Sequence, residues 1–269
     1  MTTALDREYS PSRMVPDVAG YLAEYARRSA DTRADLAAYT DIRYGPATLD
    51  LFPAVTGSPL LVYVHGGFWQ EMSKSDFAFP ARGAVAAGMS FAALGYGLAP
   101  EHSMDEIVAC VRAGVSWLVE HADVFAIDPA RIHLCGHSAG AHLAAMALLD
   151  DRLRAVIAGA ILLSGVYDLE PIRHTYVNQA LGLDRAAAAR NSPLHALPDR
   201  LPPLVVACGA IETAEFRRQR REFAAAARGR GRVTELIVQG RHHFDVMDDL
   251  TAPDTGLGRA VFAQLTSGA

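Results

Sequence analysis

A serine stands between two glycines in Gly136-His137-Ser138-Ala139-Gly140. It follows the apolar run "RIHLC" and precedes the alanine-rich "AHLAAMALL". G-x-S-x-G between a strand and a helix is the pattern of a serine nucleophile held on a sharp turn. Such a turn exposes the hydroxyl and leaves no room for side chains at the two flanking positions. The helix opening at Ala139 aims its free N–H groups and its positive dipole end at the same point. A plain structural turn is the competing reading, and the rest of the chain has to decide.

A nucleophile that forms a tetrahedral intermediate needs donors for the oxyanion. His65-Gly66-Gly67-Phe68-Trp69 follows an apolar run. Its two glycines let the backbone turn so that the N–H groups of Gly67 and Phe68 join that of Ala139. His65 reads as an organiser of this loop. The serine also needs a base, and the base an orienting acid. With a nucleophile of this kind the chain order is Ser, acid, His. His242 and His243 in "GRHHFDVMDD" follow the last apolar run, and one of the two is surplus. Asp245 would order their loop. Acid candidates are Glu212 and Glu215 in "VVACGAIETAEF", with Asp168 in "SGVYDLEP" as an alternative. Glu212 is nearer the strand end, Glu215 falls inside the following helix, and Asp168 suits a loop cap.

Other chemistries lack their signatures. His242, His243 and Asp245 have no HExxH or cysteine pair beside them, so no metal is expected. No G-x-G-x-x-G phosphate cradle is present, and no cofactor is expected. Cys110, Cys135 and Cys208 are far apart in apolar surroundings, which fits reduced core thiols rather than a disulfide framework.

The elements that must position these groups alternate. "PLLVYVHGG", "MSFAALGYG", "RIHLCG", "AVIAGAILLSG", "PPLVVACG" and "VTELIVQG" read as buried strands. Helical spacing appears in "DFAFPARGAVAAG", in "AGAHLAAMALL", from Thr213 onward and in "GLGRAVFAQL". "SMDEIVACVRAGVSWLVEHA" is an amphipathic helix with Ser103 and Glu106 as a capping box. Strands apolar throughout, separated by helices, predict an α/β fold: a mostly parallel central sheet with helices on both faces. "YTDIRYGPATLDLFPA" predicts an antiparallel hairpin at its edge. One domain spanning 1–269 is expected, with a small cap inserted at about 169–201, the most irregular stretch.

With 51% hydrophobic residues, the 269-residue chain can bury a large core. A net charge of −5 argues against a nucleic-acid binder. The basic run Arg217–Arg221 reads as a solvated helix face. "MTTALDREYSPSR" has no apolar signal-peptide core, and no stretch reaches membrane-spanning length. A cytoplasmic protein without nucleic-acid or membrane partners is expected.

With these residues in hand, the chain resembles the α/β-hydrolase superfamily. More narrowly it resembles the kynurenine formamidase (arylformamidase) branch, a neighbour of the hormone-sensitive-lipase-type esterases. The blocks "REYSPSR", "YGPATLDLF", "HGGFWQ", "YGLAPE", "GHSAGAHLA", "EFRRQ" and "HHFDV" carry the resemblance along nearly the whole length. "HGGFW" in place of HGGG, together with "HFD", is its most specific part. The resemblance implies His243 rather than His242 as base, and Glu212 as acid where many relatives have aspartate. It also implies hydrolysis of N-formyl-L-kynurenine to L-kynurenine and formate. Phe68, Trp69 and Tyr167 are the candidates for a flat wall against a small aromatic substrate, and a homodimer is the candidate assembly. A carboxylesterase for small aryl or acyl esters would use the same groups. A non-catalytic binding protein of the same fold is the alternative of another class.

Overall fold

The computed structural model describes residues 3–266. Its strands are β1 Tyr39–Arg43, β2 Thr48–Phe52, β3 Ser58–Val64, β4 Ser90–Leu94, β5 Ile127–His137, β6 Gly159–Leu163, β7 Leu204–Ile211 and β8 Val233–His242. They form one sheet in the order β1-β2-β4-β3-β5-β6-β7-β8. β1 and β2 are antiparallel at the edge, as the Gly-Pro turn predicts, and β3 to β8 run parallel. The helices are α1 Ala4–Glu8, α2 Val18–Asp35, α3 Pro80–Ala86, α4 Met104–Glu120, α5 Ala139–Ala147, α6 Asp151–Val156, α7 Asn178–Leu181, α8 Arg185–Arg190, α9 Ala214–Ala227 and α10 Gly256–Thr266.

The apolar strands are continuous because both faces are covered. Leu60, Val62 and Val64 of β3 pack with α4, α5 and α9, while Leu61 and Tyr63 pack with α3 and α10. The same alternation separates Leu162 from Ile161 in β6 and Val206 from Val205 in β7. α4 starts on the expected capping box: Ser103 Oγ accepts from Glu106 N, and Glu106 Oε2 accepts from Ser103 N. α9 starts on Thr213. Its basic run is more than a solvated face, because Arg220 is buried and pairs with Glu235.

Two elements differ from their expected extents. "DFAFPARGAVAAG" is a 3-10 turn over Lys74–Phe77 followed by α3, because Pro80 has no N–H to continue a helix and takes the first-turn position instead. Within "AVIAGAILLSG" the first residues belong to α6, so β6 opens only at Gly159. Among the described residues no helix is long and apolar enough to cross a membrane. All three cysteines are free and buried.

Candidate active site

Ser138 follows β5 directly and caps α5 with φ 56 and ψ −121. This left-handed conformation is one that non-glycine residues rarely adopt, and holding it costs about 1–3 kcal/mol. The surroundings enforce it. Ser138 N donates to Leu163 O of β6 at 2.9 Å. A Cβ on Gly136 would stand 2.2 Å from Gly140 O, and one on Gly140 would stand 1.9 Å from Val64 O. Both glycines are therefore required by backbone–backbone contact, not by turn conformation. The Ser138 side chain makes no capping hydrogen bond and faces a cavity.

The base and acid candidates meet in the core. His243 follows β8 and Glu212 follows β7. His243 Nδ1 lies 2.9 Å from Glu212 Oε2, with both residues at least 96% buried. The carboxylate can only accept there, so Nδ1 carries the proton and Nε2 presents its lone pair. Glu212 Oε1 accepts from Ser164 Oγ at 2.6 Å and from Gly209 N at 2.8 Å. The longer glutamate thus reaches the imidazole while its second oxygen is fully occupied. The other candidates are engaged elsewhere. Glu215 accepts from Tyr9 and Arg218. Asp168 accepts from Glu170 N within its own loop. His242 Nδ1 accepts from Phe244 N and Asp245 N, and Asp245 Oδ1 accepts from His242 N, which fixes the loop carrying His243.

His137, inside the G-x-S-x-G motif, donates from Nε2 to His243 O at 2.8 Å. Burial, with the nearby His243 ring adding to it, holds its pKa well below the ordinary histidine value, so it stays the neutral donor. The elbow and the base loop are thereby tied to each other. Neither this contact nor that of Ser164 was read from the sequence; the signal available for His137 was only its place in the motif.

The glycine loop after β3 carries three residues at positive φ in succession: Gly67 at 106, Phe68 at 47 and Trp69 at 61. A Cβ on Gly67 would stand 2.2 Å from Glu71 O. Among the described residues the N–H groups of Gly67, Phe68 and Ala139 have no backbone acceptor. His65 organises this loop as expected. It stacks on Tyr96 with ring centroids 4.2 Å apart, and Tyr96 Oη donates to His65 O at 2.8 Å. Burial lowers the pKa of His65 to about 4. Trp69 anchors the far end by donating from Nε1 to His142 Nδ1 of α5 at 3.1 Å. His142, its own pKa lowered to about 4 by burial, donates from Nε2 to Asn191 O at 2.7 Å.

Ser138, His243, Gly67 and Phe68 line one cavity of about 200 Å³. Its walls correct two expectations. Trp69 and Tyr167 are not on them: Trp69 is buried against His142, and Tyr167 stacks on Phe223 of α9 at 4.0 Å. Both are amphipathic rings packed in the core beneath the site. The aromatic surface comes instead from Phe68, Phe244, Tyr25 and Phe77. From the stretch 169–201, only Tyr176 and Val177 reach the cavity. The N-terminal segment contributes Pro11, Ser12, Val18, Leu22 and Tyr25. It is pinned there by Tyr25 Oη donating to Phe244 O, next to His243.

Residues 61–245 match the family model for the alpha/beta hydrolase fold. The kynurenine formamidase of Danio rerio is 35% identical, covering 91% of this chain and 90% of that one. That of Salmo salar is 36% identical, covering 93% and 92%. A solved structure from Silicibacter sp. TM1040, provisionally named a thioesterase, superposes with a TM-score of 0.88 at 29% identity, covering 97% of this chain and 99% of that chain. Esterase LipQ of Mycobacterium tuberculosis is 28% identical over 77% of this chain and 57% of its own. The chain belongs to the α/β-hydrolase family, and within it to the kynurenine formamidases.

Proposed function

We propose that this hydrolase cleaves an aryl formamide, N-formyl-L-kynurenine, to L-kynurenine and formate. Ser138 is the nucleophile, His243 the base and Glu212 the acid that orients it. The amides of Gly67, Phe68 and Ala139 receive the oxyanion. The observation that carries the reading is the 2.9 Å contact of His243 Nδ1 with Glu212 Oε2 beside a cavity that also holds Ser138. Full-length similarity to proteins named kynurenine formamidase supports the substrate.

The chemistry runs in two halves. Ser138 Oγ attacks the formyl carbon while His243 Nε2 takes its proton. The carbonyl oxygen gains charge within reach of the three amides, where preorganised donors lower the barrier most. The C–N bond breaks as His243 returns the proton to the aniline nitrogen, leaving a formyl ester on Ser138. Water, deprotonated by His243, then releases formate and restores the serine. The formyl group needs little acyl space, and the aryl group rests on Phe68, Phe244 and the apolar residues of α2. Binding energy at that wall is spent on holding the leaving nitrogen in line with His243.

In the test, purified protein is assayed on N-formyl-L-kynurenine and on p-nitrophenyl acetate. The expected kcat/KM is higher for the formamide, although the ester has the better leaving group. A formamide value no greater than that for the ester favours the carboxylesterase reading, which the similarity to LipQ supports. Failure of a fluorophosphonate probe to label Ser138 would make the chain a binding protein of hydrolase fold.

A further inference from the structure

Among the residues that line the cavity, Glu71 is the one with a full formal charge, and none is a lysine or arginine. Glu71 is exposed, and among the described residues nothing forms an ion pair with its side chain. Its position is fixed by the oxyanion loop. Glu71 N donates to Gly67 O at 3.0 Å, and Glu71 O occupies the space that a Cβ on Gly67 would need. Basic groups nearby do not offset it. Lys74 is buried in ion pairs with Asp41 and Asp50. Arg13 and His174 line a separate groove on the other side of Tyr176.

We infer that Glu71 selects the substrate's charge: the site takes aryl formamides whose acyl side chain ends in a cationic ammonium group and discriminates against those ending in a carboxylate. The inference rests on the proposed formamidase reading. An unpaired carboxylate beside an apolar cavity attracts a cation and repels an anion, with little competition from other fixed charges. A substrate carrying both groups puts its ammonium toward Glu71 and leaves its carboxylate to solvent. The strength is that of an exposed ion pair, so about a three- to fivefold preference is expected, and added salt weakens it.

The test uses three ortho-acyl formanilides, alike except that the acyl chain ends in an ammonium, a methyl or a carboxylate group. In the natural protein the expected order of kcat/KM is ammonium, methyl, carboxylate, with the differences residing in KM. Glu71→Gln is expected to bring the three together, and Glu71→Lys to reverse the order. Equal values in the natural protein, or an order that Glu71→Lys leaves in place, overturn the inference. So does a preference for the carboxylate, which would assign recognition to Arg13 across Tyr176. Failure of the formamidase reading itself is distinct, because none of the three compounds would then be turned over.

Discussion

Replacing Glu212 by glutamine changes one oxygen to an NH₂ group, and the surrounding donors dictate which one. Two donors arrive at Oε1: Ser164 Oγ at 2.6 Å and Gly209 N at 2.8 Å. The serine hydroxyl can rotate to accept, but a backbone N–H cannot. The amide oxygen must therefore stay at that position, and the NH₂ must face His243 Nδ1. An NH₂ only donates, so Nδ1 must give up its proton, and the proton moves to Nε2. His243 then presents a donor toward Ser138 instead of a base. The same tautomer trap in Ser-His-Asp proteases costs about 10⁴ in kcat. The opposite amide orientation keeps the working tautomer but sets NH₂ against the buried Gly209 N–H. Leaving such groups unsatisfied costs about 1–3 kcal/mol. At about 2 kcal/mol the active form is roughly one molecule in thirty, so the loss lies between about 30-fold and 10⁴-fold. Glu212→Gln is nearly isosteric and should keep its near-UV circular dichroism. The assay is kcat on N-formyl-L-kynurenine and p-nitrophenyl acetate. A folded variant within tenfold of the natural protein on both would refute the reasoning.

Ser138→Ala and His243→Ala should each lower kcat by about 10⁴ while folding normally, whereas His242→Ala should stay within about tenfold; the reverse ranking of the two histidines in steady-state assays would move the base by one residue. Ser164→Ala removes one bond from the buried Glu212 carboxylate and should destabilise the protein by about 1–3 kcal/mol in urea titrations, so an unshifted midpoint would show that this oxygen finds another donor. Stability should also fall on acidification. His65, His133 and His142 are held near a pKa of about 4 by burial, so between about pH 6.5 and 4 the unfolded chain binds protons that the folded one refuses. Each then removes up to about 1.4 kcal/mol of unfolding free energy per pH unit as pH falls, and guanidinium midpoints at pH 7, 6 and 5 that did not decline would contradict this.

The strand order of the candidate catalytic groups was legible because backbone contact writes itself into sequence as glycine. Gly136 and Gly140 exist because carbonyls occupy the space a Cβ would take. Strands apolar on both faces announced the parallel sheet for a similar reason: each residue meets a helix on one side or the other. The N-terminal helix α2 escaped notice because its buried positions are not all apolar. Tyr25, Ser29 and Thr32 face inward, and Ser29 Oγ donates to Asp76 O rather than packing in oil. Only Val18, Leu22 and Tyr25, spaced four and three apart, hinted at the stripe that covers the cavity. Trp69 and Tyr167 were misaimed because proximity to a motif in sequence says nothing of which side of the backbone a ring leaves. Trp69 has φ 61, and its ring lies against His142 of α5, not on the cavity wall.

Four adjacent strands each lead directly into a residue of the candidate active site. Ser138 follows β5, Ser164 follows β6, Glu212 follows β7 and His243 follows β8. Ser138 N bonds to Leu163 O, and Ser164 N bonds to Ala207 O, so each strand end is laced to the next. Both serines hold positive φ, at 56 and 53, which turns the chain sharply at the sheet edge. Ser164 then holds Glu212, Glu212 holds His243, and His137 on β5 closes the ring through His243 O. A displacement of any one strand end by a fraction of an ångström is resisted by the groups bonded to it. The precision the chemistry needs therefore resides in the parallel register of the sheet. The loops and the N-terminal helix above it are left to shape the cavity and to set which formamide or ester enters.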